Sequence, residues 1–151
     1  MKKLVLTALL ALCAVLAFAY EIPKGLLDSQ PAQALLINLD QYYAQRALPD
    51  KPSIDVDKVY ASPRSQVEIR TILKGFTAGP HFHANSDEIV IVVGGSGEIL
   101  VNGEWKPVKK GDLHINPRGC VHATRALTEN MRFLSIYTPQ LPQGGDANAV
   151  N

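Results

Sequence analysis

Cysteine is scarce in this sequence: its 151 residues include only Cys13 and Cys120. Cys13 falls within an apolar N-terminal run, so Cys120 stands alone in the rest of the chain and an intramolecular disulfide framework is excluded. Cys120 shares strand parity with His122, two residues later. We therefore expect its thiol either to fill a small buried apolar space or to lie close to that histidine and modify its chemistry.

An excess of charge of one sign is also absent. The chain has 15 Lys and Arg against 14 Asp and Glu, a formal net charge of +1. Without Lys2 and Lys3 in the N-terminal run, 13 basic residues face 14 acidic ones. A nucleic-acid-binding surface needs a clear local excess of Lys and Arg. The sequence therefore predicts no nucleic-acid partner.

A transmembrane helix needs an apolar run of about 20 residues, and the chain lacks such a run. Its longest run, residues 4–16, follows two lysines and leads to an A-x-A pattern that ends at Ala19. These features predict a signal peptide, residues 1–19, whose cleavage leaves a periplasmic or secreted chain without stable membrane insertion. A lipoprotein signal ending at Cys13 is the less favoured alternative, because the bulky Leu12 precedes that cysteine.

Short β-rich segments are abundant and follow one another from residue 64 to 138. Residues 67–73 are rich in β-branched side chains, and Asn102-Gly103 is a strong signal for a type I′ hairpin turn. Short strands with regularly spaced turns predict an all-β sandwich or barrel. This region therefore contains the folded core of the chain.

The two flanking regions lack this regularity. Several prolines interrupt an N-terminal extension, residues 20–63, in which residues 33–39 fit a strand and residues 34–48 fit a helix equally well. Residues 139–151 are rich in Gln, Gly, Pro, Asn and Asp, a composition that predicts a flexible C-terminal tail. Neither region carries a pattern that indicates chemistry.

The strongest chemical pattern lies in residues 75–95. His81 and His83 are two positions apart, so on an extended strand both imidazoles point to the same face, roughly 7 Å apart. A polar tetrapeptide follows, and Glu88 then opens the β-branched run of a second strand. Two imidazoles and a carboxylate on adjacent strands form half of a metal site, and His122 in a later strand is a candidate for the missing ligand.

These spacings resemble the two signature motifs of the cupins. The matching positions are Gly75, His81, His83, Glu88 and Gly95 in the first motif, and Gly111, Pro117, Gly119 and His122 in the second. One position departs from the pattern, since Ala126 stands where the second motif often has Asn, and this bears on barrel packing rather than on the metal ligands. The resemblance covers about residues 64–138 and implies an all-β jelly-roll barrel, the double-stranded β-helix of small cupins.

The resemblance also implies a metal and a function. The ligands of one divalent first-row transition metal (iron, manganese, zinc, nickel or copper) would be His81, His83, Glu88 and His122. Four protein ligands leave two positions of a six-coordinate ion open for substrate, water or dioxygen. We therefore expect a metalloenzyme that acts on a small organic acid or sugar derivative, with dioxygenase, oxidase, decarboxylase, isomerase or lyase chemistry. The alternative is a module that binds such a ligand without turnover.

The roles of residues beyond the four predicted ligands follow less directly from the two motifs. The candidates for supporting the metal or binding substrate are Arg70, Arg118, Arg125, Trp105, Tyr137 and Cys120. An arginine that faces the interior would indicate a carboxylate-bearing substrate, because its planar guanidinium matches a carboxylate. His114 has no place in either motif and is expected to be structural or at the barrel rim. By the same resemblance, residues 20–63 are expected to pack on the barrel or on the partner subunit of a homodimer.

Overall fold

A computed structural model describes residues 34–150 of the chain. The predicted signal peptide, residues 1–19, and the start of the predicted N-terminal extension, residues 20–33, lie outside these residues. Between residues 34 and 150 the chain forms one helix, α1 (Leu39–Gln45), and ten strands. The strands are β1 (Ile54–Ser62), β2 (Ser65–Ile72), β3 (Thr77–His83), β4 (Asp87–Gly94), β5 (Ser96–Val101), β6 (Glu104–Lys109), β7 (Leu113–Asn116), β8 (His122–Arg125), β9 (Met131–Thr138) and β10 (Ala147–Ala149).

The helix α1 forms in the segment for which the sequence favours strand and helix equally. Asn38 precedes the helix, and its side-chain oxygen accepts a hydrogen bond from the backbone N–H of Gln41 at 2.9 Å. This contact caps the first turn, and Asp40 in that turn is favourable beside the positive end of the helix dipole. No helix among the described residues has the length and apolar character to cross a membrane.

The ten strands form two five-stranded antiparallel sheets, which confirms the predicted all-β barrel. The strand order is β1-β2-β9-β4-β7 in the first sheet and β10-β3-β8-β5-β6 in the second. Strands that are distant in sequence are thus neighbours in space, as in a jelly roll. The hairpin between β5 and β6 turns at Asn102 and Gly103, whose φ angles of 51° and 83° fit the predicted type I′ turn.

The inward-facing side chains of the barrel form an apolar half and a polar half. Along β9 every second side chain is buried, and these residues change from Met131 and Phe133 to Ser135 and Tyr137. The apolar cluster comprises Ile72, Val90, Val92, Ala126, Met131 and Phe133. In these pairings Ser135 lies opposite Glu68 on β2, and Tyr137 lies opposite Glu88 on β4, so buried polar residues also gather together. They include Gln66, Glu68, Glu88, Asn116 and Ser135.

Two motif positions have clear structural roles. Gly95 has a φ angle of 69°, and a Cβ atom there would overlap the backbone carbonyl of Asn130, so glycine is required. Ala126, where the motif often has Asn, is fully buried in the apolar cluster, and its carbonyl accepts a hydrogen bond from the N–H of Gly75 at 2.7 Å. The departure from the motif therefore affects packing and leaves the polar half unchanged.

Both flanking regions contribute a strand to a sheet. The strand β1 lies within the predicted N-terminal extension and pairs with β2 from Ile54↔Ile72 to Ser62↔Ser65. The strand β10 lies within the predicted flexible tail and pairs with β3. At residues 147–149 the structure thus differs from the prediction of a flexible tail. The ladder with β3 supplies backbone hydrogen bonds that order a segment whose composition alone does not favour a strand.

Candidate metal centre

Three histidines converge in the polar half of the barrel. His81 and His83 lie on β3, and His122 opens β8, directly opposite His81 in the β3–β8 pair. One ligand atom from each histidine lies within 4.8 Å of the others. The ring centroids of His81 and His122 are 4.3 Å apart, and His83 lies 5.3 Å and 5.4 Å from them. The structure therefore brings together the three histidines of the predicted site.

The partners of these rings determine which nitrogen of each faces the cluster. The Nδ1 atoms of His81, His83 and His122 each lie against an oxygen acceptor. In that order, the acceptors are the Gly79 carbonyl at 2.8 Å, the Asp146 carboxylate at 2.7 Å and the Cys120 carbonyl at 3.0 Å. Because these oxygens can only accept, each Nδ1 carries the hydrogen, and in a neutral imidazole the lone pair is then on Nε2.

The lone pairs that remain fit a metal. The Nε2 atom of His83 is buried without a hydrogen-bond partner, and the buried Nε2 of His122 has the Glu88 carboxylate 3.1 Å away, so a cation at the cluster would satisfy both nitrogens. Burial lowers the pKa of His81 below the ordinary value of 6.5, so this ring is neutral at pH 7. Neutral imidazoles are ligands for zinc, copper, iron and nickel. The three histidines therefore form a candidate site for a divalent first-row metal.

Glu88, the predicted fourth ligand, lies on β4 beside this cluster. Its Oε1 accepts hydrogen bonds from the hydroxyls of Ser135 at 2.8 Å and Tyr137 at 2.7 Å. Its Oε2 accepts from Asn116 Nδ2 at 3.0 Å and lies 3.1 Å from His122 Nε2. The cluster within 4.8 Å contains the three histidines without Glu88, so its role as a ligand stays a prediction.

The contact between Glu88 and His122 brings a carboxylate oxygen close to an imidazole nitrogen. Two lone pairs 3.1 Å apart repel, so the contact is favourable when a proton or a metal cation lies between them. Burial alone would raise the pKa of Glu88, but His122 and the Arg70 guanidinium outweigh burial and hold that pKa below its usual range. Glu88 is thus anionic at neutral pH and complements a positive charge at the cluster.

Arg70 faces the interior, but its guanidinium is engaged by carboxylates of the protein. Its Nε donates to Glu68 Oε2 at 2.7 Å, and its Nη1 lies 3.9 Å from Glu88 Oε1. The other oxygen of Glu68 accepts a hydrogen bond from Gln66 at 2.5 Å. The inward arginine therefore supports Glu88 through charge, and its position does not by itself indicate a carboxylate-bearing substrate.

Tyr137 supports the same carboxylate. It is fully buried, its ring lies 5.1 Å from that of His83, and its hydroxyl donates to Glu88. Burial and the charge of Glu88 raise the pKa of Tyr137 above its usual range, so the hydroxyl keeps its proton. Tyr137 is therefore a permanent hydrogen-bond donor at the site.

The substitution Tyr137→Phe tests this contact. We expect it to reduce the free energy of unfolding by about 1–3 kcal/mol, because a buried charged acceptor loses a donor. Urea denaturation measures the change, with Tyr60→Phe at a half-exposed position of β1 as the control. Equal stabilities of the Tyr137→Phe variant and the wild type would contradict the assigned role.

The remaining candidates lie outside the cluster. Cys120 is partly exposed in the turn before β8, and its carbonyl rather than its sulfur contacts His122. The expectation of a buried apolar thiol is therefore wrong, because Cys120 is partly exposed and its sulfur lies against the carbonyl of Val121 at 3.9 Å. Arg125 forms an ion pair with Glu98 at 2.6 Å, and its guanidinium lies 4.1 Å from the ring centroid of Trp105. On β8 it has the opposite strand parity to His122, so the two side chains point to opposite faces of the strand.

Two further residues have structural roles. The exposed Arg118 donates its backbone N–H to Asp87 Oδ1 at 2.9 Å. His114 lies on β7 opposite Val90 and is half-buried. Burial and the proximity of His122 lower the pKa of His114, so it stays neutral near the site. His114 thus lies near the cluster of three histidines without belonging to it.

Sequence reasoning missed three residues of the site. Asn116 and Ser135 donate to Glu88, and strand alternation from Tyr137 would have placed Ser135 on the same inward face. Asp146 accepts a hydrogen bond from His83, although it lies in the region predicted to be a flexible tail. No pattern in the sequence around Asp146 indicates this contact, because it depends on where the C-terminal segment returns.

The fold and the histidine cluster define a class of protein: a jelly-roll barrel with a candidate metal site among its inward side chains. Residues 68–137 match the family described as Cupin domain. The barrel of this chain is therefore a cupin domain with the double-stranded β-helix fold, as its two motifs predict. The matched residues include the three histidines and Glu88, whereas β10 and Asp146 lie beyond them.

Several proteins are similar to this chain. An uncharacterized protein of Aquifex aeolicus is 40% identical over 60 residues, which cover 40% of this chain and 50% of that protein. The pectin degradation protein KdgF of Dickeya dadantii is 30% identical over 67 residues, 44% of this chain and 61% of that protein. The matches thus span less than two thirds of both relatives.

The similarity extends to solved structures. The structure of KdgF from Halomonas sp. has a TM-score of 0.63 and 22% sequence identity to this chain. The match covers 75% of this chain and 99% of that one. At this level of identity the similarity establishes the shared fold.

Proposed function

We propose that His81, His83 and His122 bind one divalent first-row transition metal and that Glu88 completes the site. One observation carries the proposal: all three Nδ1 atoms lie against acceptors, which leaves three Nε2 lone pairs for a common cation. When bound, such a metal supplies a Lewis acid that polarises a carbonyl or carboxylate, or activates water or dioxygen. Iron, manganese, zinc, nickel and copper are all compatible with these donors.

The protein around the metal holds the ligands and a negative charge in place. Ser135, Tyr137 and Asn116 together satisfy the Glu88 carboxylate and keep it from rotating. His83 and His122 are buried, whereas His81 is partly exposed. A small molecule would therefore approach the metal from the side of His81.

We propose that the site acts on a small sugar acid or related organic acid. The name of the Dickeya relative, a pectin degradation protein, supports the sugar-acid class, because pectin is built from sugars that carry carboxylates. The proposal concerns only the cupin domain, since the similarity spans part of the relative.

A second candidate is a binding module that holds the same kind of ligand without turnover. It is favoured by the acid–base properties of the site. The pKa of Glu88 lies below its usual range and that of Tyr137 above it, so neither group exchanges protons readily at neutral pH. General acid–base catalysis is most efficient when the pKa is close to the working pH.

Incubation of metal-loaded protein with galacturonate and related sugar acids distinguishes the two candidates. Proton NMR follows both the substrate and any product, and the His122→Ala variant provides the metal-free control. A new product that requires His122 supports the enzyme. Line broadening of the sugar acid without product supports the binding module. No effect of the wild-type protein on any sugar acid would contradict this substrate class.

We also propose that the chain is exported. The proposal is supported by the two lysines, the apolar run and the A-x-A pattern that ends at Ala19. Cleavage there would produce a mature protein that begins at Tyr20. Intact-mass analysis of the protein from the periplasm or medium checks this prediction, and an uncleaved or lipidated N-terminus would contradict it.

A further inference from the structure

The C-terminal segment reaches the metal centre through Asp146. This carboxylate is buried, with 5% of its side chain exposed. Its Oδ1 accepts the hydrogen of His83 Nδ1 at 2.7 Å, and its Oδ2 accepts the backbone N–H of Asn85 at 3.0 Å. Both oxygens are thus used, one on the histidine and one on the turn that follows β3.

Backbone pairing holds Asp146 in this position. The strand β10 follows immediately and pairs with β3 in register, Ala147 opposite His83 and Ala149 opposite His81. The backbone N–H of Val150 extends the pairing by donating to the Pro80 carbonyl at 3.0 Å. The C-terminal strand therefore lies along the two residues of β3 that point into the candidate metal site.

His83 differs from the other two histidines in the partner of its Nδ1. His81 and His122 each face a backbone carbonyl, whereas His83 faces a carboxylate. A carboxylate fixes the ring orientation and the tautomer as a carbonyl does, and its negative charge also increases the electron density on Nε2. A stronger donor binds a metal cation more tightly.

We propose that Asp146 is a positioning residue that orients His83 and strengthens it as a metal ligand. The inference depends on the proposed metal site and adds to it the C-terminal strand, which lies beyond the residues matched by the cupin family. In this protein the barrel alone gives three converging imidazoles. The C-terminal segment that carries Asp146 increases the affinity of one of them, His83, for the metal.

The test measures the affinity for Co²⁺ and Zn²⁺ in the full-length protein. Asp146→Asn keeps the shape of the side chain, but an amide has one acceptor and cannot serve both His83 and Asn85. Asp146→Ala removes both contacts. Asp50→Asn, at an exposed position before β1, is the control for the loss of one negative charge.

We expect Asp146→Asn and Asp146→Ala to weaken metal binding by about 10–100-fold, the range typical of partners that orient a metal ligand. The visible absorption bands of bound Co²⁺ should also shift, because the donor strength of His83 changes. Asp50→Asn should leave both the affinity and the spectrum unchanged. Thermal unfolding of the metal-free variants shows whether the barrel itself is intact.

The possible failures are distinguishable. Wild-type affinities and spectra in both Asp146 variants would overturn the positioning role while leaving the metal site standing. A loss of stability in the metal-free variants with unchanged metal binding would also overturn it, because Asp146 would then serve only the fold. A wild-type protein that binds neither metal would overturn the proposed function and this inference together.

Discussion

Substitution of His122 by alanine is expected to abolish metal binding while the barrel stays folded. His122 supplies one of three converging Nε2 atoms, and removal of a direct ligand should exceed the about 10–100-fold loss typical of its supporting partners. The apolar half of the barrel contains no part of this side chain, so the core that stabilises the fold is unchanged. Competition with a chelating dye measures the Zn²⁺ affinity, and circular dichroism monitors the fold.

His114→Ala is the matched control for this prediction. His114 is also an inward, half-buried histidine close to Glu88 and His122, but it lies outside the cluster of three. We expect its replacement to leave the Zn²⁺ affinity within about threefold of the wild type, since it removes no ligand. Wild-type affinity in His122→Ala, or an equal loss in His114→Ala, would show that the metal binds elsewhere.

The second large effect is expected for Glu88→Gln. The buried carboxylate accepts from Ser135, Tyr137 and Asn116, and the amide would leave at least one of these donors facing another donor. It would also remove a negative charge near Arg70, which lies 3.9 Å away. We expect the free energy of unfolding at pH 7 to fall by about 3–5 kcal/mol, as when one partner of a buried charged network is removed.

The difference in stability between the wild type and Glu88→Gln should depend on pH. Because the folded pKa of Glu88 lies below its ordinary value of 4.5, the carboxylate stabilises the fold fully above pH 4.5. That contribution is lost as the pH falls further, so the wild type should approach the stability of Glu88→Gln in acid. Urea denaturation at pH 7 and pH 3 measures both values. A difference between the two proteins that stays constant or grows towards pH 3 would contradict the assigned network.

Glu104→Gln is the control for the loss of a carboxylate. The side chain of Glu104 is 78% exposed on β6, and its nearest cation, Lys106, is 4.0 Å away. Exposed ion pairs of this kind contribute little to stability. We therefore expect its stability at both pH values to match that of the wild type, which would separate the buried network from a general effect of charge.

Most of the fold follows from local patterns in the sequence. Alternation of apolar residues and the Asn102-Gly103 turn predict the strands of the barrel, and the spacing of His81 and His83 predicts that both rings share a face. The family resemblance then adds His122, which the β3–β8 register places opposite His81. These predictions succeed because each depends on strand parity, which a sequence displays directly.

The parts that the sequence does not reveal depend on long-range contacts. Asp146 lies 63 positions from His83, in a segment whose composition favours disorder, and only the pairing of β10 with β3 brings the two together. The role of Arg70 depends similarly on Glu68, because the Glu68 carboxylate already binds the guanidinium that a substrate would otherwise contact. Parity gives the face on which a side chain lies, whereas its partner is set by the register of strands distant in sequence.

Metal content of the protein purified from its native compartment tests the central claim most directly. Elemental mass spectrometry gives the identity of the metal and its amount per chain. We predict about one divalent first-row metal ion per chain, as expected for a single cluster of three histidine ligands. A protein that is folded, has intact His81, His83 and His122, and contains no such metal would contradict the account.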